Sequence, residues 1–172
     1  MLSIDQIKSL VRDVPDFPKA GIVFKDITPV LSNPLALKSL IHHLSERVPT
    51  DATHVVAVES RGFILGTGVA HLLGKGLVLV RKPGKLPYQT ISESYALEYG
   101  TDRLEIHTDA LGSKDKIVII DDVLATGGTA AATVGLCQKL NAKVLKCIFM
   151  MELGFLNGRS KVSSECESLL SI

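Results

Sequence analysis

Residues 117–129 read IVIIDDVLATGGT. The opening run of Ile and Val suits a strand buried on both faces, as in a parallel sheet covered by helices. Two acids close that strand, a short loop follows, and Gly-Gly-Thr opens a helical pattern over 128–140. Adjacent carboxylates at a strand's carboxyl end, Asp121 and Asp122, can accept hydrogen bonds from a vicinal diol such as a ribose 2′,3′ pair. Gly127 and Gly128 let the backbone approach an anion closely. The amides of Ala125, Thr126, Gly127, Gly128 and Thr129 then face that anion at a helix N-terminus, where the dipole favours negative charge. The hydroxyls of Thr126 and Thr129 add donors. The whole string reads as a ribose-phosphate cradle. It is neither a P-loop nor a dinucleotide fingerprint, because G-x-x-x-x-G-K-[ST] and G-x-G-x-x-G are both absent. The bland alternative is a solvated acidic turn before a glycine-rich helix entry, which a bare Asp-Asp pair would favour.

Outward from this segment, apolar runs alternate with helical patterns. Residues 54–59 (HVVAVE), 77–80 (LVLV) and 144–150 (VLKCIFM) join 117–120 as short buried strands. Residues 35–48, after Asn33-Pro34, and 62–73 carry helical periodicity, as does 128–140. The repeat of strand, helix and strand predicts an α/β domain with a mostly parallel sheet, whose ligands bind beyond the strands' carboxyl ends. Residues 86–107 (LPYQTISESYALEYGTDRLEIH) break the pattern. They are polar and exceed an ordinary connection of about 4–6 residues, so they predict a lid or a β-hairpin flap. Residues 14–29, with three prolines and a glycine, read as irregular.

The chain has 172 residues, which suits one domain that buries a core without disulfides. Hydrophobic residues make up 46% and charged residues 22%, which excludes a disordered chain. Nineteen Lys and Arg against 18 Asp and Glu leave a net charge of +1, too small a field for a nucleic-acid coat or an anionic membrane surface. Cys137, Cys147 and Cys166 show no zinc spacing and fit a reducing cytosol. The charged N-terminus is not a secretory signal, and no apolar run approaches the ~18 residues of a membrane span. A cytoplasmic protein is expected.

The string at 117–129 resembles the phosphoribosyl-pyrophosphate (PRPP) motif of the type I phosphoribosyltransferases. Four further segments resemble the adenine-specific members of that family: PDFPKAGIVFKDITPVL from residue 15, ESRGF at 59–63, RKPGKLP at 81–87 and SYALEYG at 94–100. They occur in order and run from about residue 15 to 153. The resemblance implies a single domain over 1–172, with a five-stranded, mostly parallel sheet flanked by helices. It adds a small hood from about 1–34 and a flexible flap at about 86–107.

The resemblance also assigns residues. Asp121 and Asp122 would hold the ribose hydroxyls, and residues 125–129 would wrap the 5′-phosphate. The hypoxanthine-guanine relatives carry an acid/base aspartate where this chain has Ala125, so proton transfer must come from elsewhere. Glu98 would handle it over the purine, with Tyr99 as a gate. A desolvated carboxyl suits a proton leaving N9 as N9 attacks ribose C1′. Ser60, Arg61, Arg81, Lys82 and Lys85 would meet pyrophosphate, with Arg61 and Arg81 stabilising its departing charge. A non-proline cis peptide near Glu59-Ser60 is implied as well. Val23, Phe24 and Lys25 would read adenine, backbone groups pairing with its edge and Phe24 stacking on one face, while Leu153 covers the other. Many relatives have Arg where this chain has Lys25, which lacks the planar fork, so only a backbone role is carried over there. Mg²⁺ would ride on PRPP and pyrophosphate oxygens, keeping its waters, with no direct protein ligand; a water-mediated contact to Asp122 is left open.

The expected activity is a homodimeric purine-salvage enzyme converting adenine and PRPP to AMP and pyrophosphate. Two rival readings stand beside it. One is the same chemistry on xanthine or guanine, which Ala125 and the hood motif oppose. The other is a regulator binding PRPP without turnover. Such a protein would carry an added nucleic-acid-binding domain or a basic face, for which 172 residues and a charge of +1 leave no room.

Overall fold

A computed structural model describes residues 1–96 and 101–172. The chain divides into two compact units, Met1–His43 and Leu44–Ile172. In the first unit, helix α1 (Ile4–Lys8) starts with a capping box in which Ser3 and Gln6 satisfy each other's backbone amides. Strands β1 (Arg12–Pro15) and β2 (Val23–Asp26) then form a two-stranded antiparallel ribbon. The segment expected to be irregular is therefore partly ordered. Its pairing is short enough that three prolines and a glycine mask it. Helix α2 (Thr28–Ser32) follows, and α3 (Pro34–Ser45) starts where Asn33-Pro34 predicts. The Asn33 side chain accepts from the amides of Leu35 and Ala36, at 3.0 Å each, which caps that start.

The second unit is built on one sheet. Its strands are β3 (His54–Val58), β4 (Gly76–Val80), β7 (Lys116–Leu124), β8 (Lys143–Glu152) and β9 (Cys166–Ser171). The order is β4-β3-β7-β8-β9, and every neighbouring pair is parallel. Helix α4 (Arg61–Leu73) connects β3 to β4, and α5 (Gly128–Lys139) connects β7 to β8. Both helices start within a residue of the positions that periodicity marks. From β3 the chain moves outward to β4, then returns to β7 on the other side. The strand order reverses between β3 and β7, and the carboxyl ends of those two strands are where such sheets leave a crevice for a ligand.

Two details depart from expectation. Strand β7 does not end at the acids. Ten-residue β8 continues to pair with it, matching Asp121 to Phe149 and Leu124 to Glu152, so both carboxylates sit within the strand. The fifth strand, β9, reads CESLLS and has too mixed a pattern to stand out in sequence.

The flap region is a hairpin of β5 (Thr90–Ala96) and β6 (Thr101–His107), antiparallel as expected. It is not wholly peripheral. Leu104 and Ile106 are buried in the same core as Val56, Ile119, Leu136 and Phe149, with Ile91 and Tyr95 packed against them. Burying side chains of this size contributes roughly 1.5–3 kcal/mol each, which anchors the base of the hairpin.

Candidate active site

The carboxyl ends of β3, β4 and β7 converge on one face of the second unit. Asp122 is almost fully buried at 5% exposure, and Asp121 is half-buried. The Asp122 amide donates to Asp121 Oδ1 at 2.9 Å. Arg61, the first residue of α4, lays Nε 2.7 Å from Asp122 Oδ2. Burial pushes Asp121 well above the usual carboxylate range, and the neighbouring Asp122 charge adds to this. Burial also raises Asp122, against the opposing Arg61 charge. Gly62 makes the arrangement possible. A Cβ there would lie 2.6 Å from Asp121 Oδ1, so only glycine lets α4 come this close to β7.

Residues 125–127 link β7 to α5, and Gly128 and Thr129 open the helix. Gly127 is the N-cap of α5 with φ +81°, and no side chain caps the helix. Its first amides are thus left for an outside acceptor, the condition for anion binding at a helix start. Gly127 and Gly128 are buried, while Ala125, Thr126 and Thr129 are half-buried.

Arg81 and Lys82, just after β4, are paired with acids. Glu59 Oε2 accepts from Arg81 Nε and from the Lys82 amide, both at 3.1 Å. Burial alone would raise Glu59, but these two donors outweigh it and hold its carboxyl low. Arg81 also donates to the Lys85 carbonyl at 3.1 Å, and its guanidinium lies 5.7 Å from the Phe63 ring centre. Lys82 Nζ donates to Asp102 Oδ2 at 3.0 Å. Lys85 is exposed, and the Glu59–Ser60 peptide is cis.

Two residues that the sequence reading gave no role join these parts. The Tyr95 hydroxyl lies 3.2 Å from Asp102 Oδ2 and accepts from Thr129 Oγ1 at 3.3 Å. Lys82, Asp102, Tyr95 and Thr129 thereby form a continuous polar chain from the cationic loop to the first turn of α5. Tyr95 and Asp102 are cross-strand partners on either side of the hairpin tip. That register is the signal that could have linked them.

A family model described as a phosphoribosyl transferase domain matches residues 27–164. An adenine phosphoribosyltransferase from Carboxydothermus hydrogenoformans is 54% identical over 160 residues, covering 92% of this chain and 94% of that protein. The crystal structure of the Thermoanaerobacter pseudethanolicus enzyme of that name superposes with a TM-score of 0.96 at 46% identity, covering 99% of this chain and all of that one. The Saccharomyces cerevisiae enzyme, solved with an imino-altritol bisphosphate and adenine, gives a TM-score of 0.91 at 40% identity and covers 96% of this chain and 97% of that one.

The chain belongs to the adenine phosphoribosyltransferase family.

Among the residues that family resemblance assigns, Ser60, Arg61, Arg81, Lys82, Asp121, Asp122 and 125–129 all lie at the carboxyl ends of three neighbouring strands. Leu153 adjoins them, its amide donating to the Leu124 carbonyl at 2.9 Å. Val23, Phe24 and Lys25, which the resemblance assigns to adenine, lie in the first unit. There Val23 is 49% exposed, and Phe24 packs edge-on against Phe17 with ring centres 5.2 Å apart. The Lys25 ammonium is 2.7 Å from Asp13, so its side chain is already committed to an ion pair. Glu98 and Tyr99 lie outside the described residues. Among the described residues, no group of three or more His, Cys, Asp or Glu is arranged to hold a metal ion, and no helix is long and apolar enough to cross a membrane.

Proposed function

We propose that this chain transfers the 5-phosphoribosyl group from PRPP to N9 of adenine, giving AMP and pyrophosphate, a purine-salvage step. The observation that carries the reading is the uncapped start of α5 close to the paired carboxylates in the last paired stretch of β7. Amides of residues 125–129 bind the 5′-phosphate, and Asp121 and Asp122 accept from the ribose hydroxyls. Ser60, Arg61, Arg81, Lys82 and Lys85 meet the pyrophosphate. As the C1′–O bond breaks, charge grows on the departing pyrophosphate, and fixed cations facing it lower the barrier. The N9–C1′ bond forms as N9 gives its proton to Glu98. Val23, Phe24, Lys25 and Leu153 are assigned to adenine, and Tyr99 to the gate.

Mg²⁺ fits as a passenger of the substrate. The Asp121–Asp122 pair already serves Arg61 and the Asp122 amide, which leaves a hard ion a water-mediated contact to Asp122. When bound, the ion would neutralise pyrophosphate charge. We further propose a single catalytic domain with an N-terminal hood, working in the cytoplasm as a homodimer. The free, buried cysteines suit a reducing compartment. Leu77 and Leu79 on edge strand β4, each more than a third exposed, offer an apolar surface for a second copy. A solution mass of one chain would remove the dimer.

The function is tested by offering adenine, hypoxanthine, guanine and xanthine with PRPP and Mg²⁺ and following nucleotide formation. Adenine alone should react, because a 6-oxo purine reverses the donor and acceptor pattern and leaves buried groups unpaired. Turnover of hypoxanthine without adenine overturns the substrate. In the same assay Glu98→Ala should lose about 10²–10⁴ in rate, and full activity would remove its proton-transfer role.

A further inference from the structure

Beyond Leu153, the turn after β8 has no task in the proposed reaction. Two short 3-10 turns, Gly154–Leu156 and Gly158–Lys161, connect β8 to β9, and Gly158 is buried. A Cβ placed on Gly158 would lie 2.0 Å from the Ala125 carbonyl oxygen and 2.7 Å from the Gly127 nitrogen. A Cβ placed on Gly127 would lie 2.1 Å from the Gly158 carbonyl oxygen. Two stretches of main chain therefore meet with no side chain between them. The turn is also held from behind. Arg159 grips both carboxylate oxygens of Glu152, with Nε to Oε1 at 3.2 Å, and donates to the Cys166 carbonyl. Leu153, at its start, is bonded to the Leu124 carbonyl. The wall behind the phosphate loop is thus tied to β7, β8 and β9 together.

We propose that Gly158 is a positioning residue for the sugar-phosphate donor: the turn it opens sets the peptide planes of Ala125 and Gly127, and so the aim of the cradle's amides at the 5′-phosphate. This rests on the PRPP reading above. No atom of Gly158 needs to touch the substrate. Its part is to let a pinned backbone support the loop that does.

The test compares Gly158→Ala with the unaltered protein. It measures KM for PRPP and for adenine, the Kd for ribose 5-phosphate by calorimetry, and Tm. An inserted methyl must push the loop aside, and displacements of about an ångström cost on the order of 10²-fold where geometry matters. KM for PRPP and Kd for ribose 5-phosphate should each rise about 10- to 100-fold, with KM for adenine within about twofold of the original. A folded variant with unchanged donor affinity overturns the proposal, as does an equal loss for both substrates that tracks a fall in Tm. If Gly158→Ala does not fold, Arg159→Gln decides. It inserts nothing and only frees the wall, so it should weaken ribose 5-phosphate binding a few-fold while sparing adenine; unchanged binding overturns the proposal. An unaltered protein that binds ribose 5-phosphate but makes no AMP fails the function instead, and the binding comparison still judges Gly158.

Discussion

On the proposed reading the loop after β7 and the loop after β4 serve opposite ends of one substrate, yet they are built on different principles. The first offers main-chain amides, held by buried glycines and a backbone wall. The second offers side chains that already have partners, Arg81 on Glu59 and Lys82 on Asp102. A phosphate entering the first loop finds donors that are aimed and unspent. A pyrophosphate entering the second must win its cations from carboxylates. The contrast fits the chemistry. The 5′-phosphate stays in place through the reaction, whereas pyrophosphate must leave, and exchangeable partners keep the vacated cations paired.

The largest effect should come from the rigid side. Gly127→Ala would force a side chain into a φ of +81° and against the Gly158 carbonyl at 2.1 Å. Both faults fall on the amide array, so kcat/KM for PRPP should drop about 10²-fold or more. Steady-state kinetics on the folded variant check this. Near-normal activity would show that the loop is pliable, and the contrast would collapse.

Asp121→Asn should have an intermediate effect of mixed sign. A hydrogen bond to a charged acceptor is worth about 1.5–3 kcal/mol, so the loss of ribose contacts should cost about 10- to 100-fold in kcat/KM. Stability should move the other way. Burial, and then Asp122, raises the Asp121 pKa well above its ordinary 3.8. A carboxyl raised in the fold lowers stability as pH climbs from the unfolded pKa to the folded one, and the loss is complete above both. Asparagine escapes that loss. The Tm of the variant relative to the original should therefore increase from about pH 4 upward, and a lower Tm at neutral pH would show that the buried charge is well compensated.

The same contrast explains what could be read from sequence. The cradle is contiguous, so strand, acids, glycines and helix start appear in one string. The strand–helix alternation was equally legible, because parallel strands buried on both faces are apolar throughout. What stayed hidden depends on pairing between distant segments. Strand β9 is recognisable only through its register with β8, and the β1–β2 ribbon only across a seven-residue turn that holds Pro18 and Gly21. Tyr95 and Asp102 become partners only when the hairpin closes. Gly158 is unremarkable until β8 delivers it beside Gly127.

The smallest effect should come from the exchangeable side, and it separates two roles for Asp102. Its carboxyl is held low chiefly by the hydrogen bond from Lys82, which raises the lysine in turn. Lys82 is 56% exposed, and pairs of that kind contribute about 0.2–1 kcal/mol. Asp102→Asn removes the charge but leaves an amide oxygen that can still face the Tyr95 hydroxyl. If Asp102 only competes with pyrophosphate, KM for PRPP should fall about two- to fivefold, as one such pair no longer has to be broken. Freed of its local acid, Lys82 should also make that KM more sensitive to salt. If instead Asp102 holds Lys82 in the orientation that meets the substrate, KM for PRPP rises, and the cationic loop is as preorganised as the cradle.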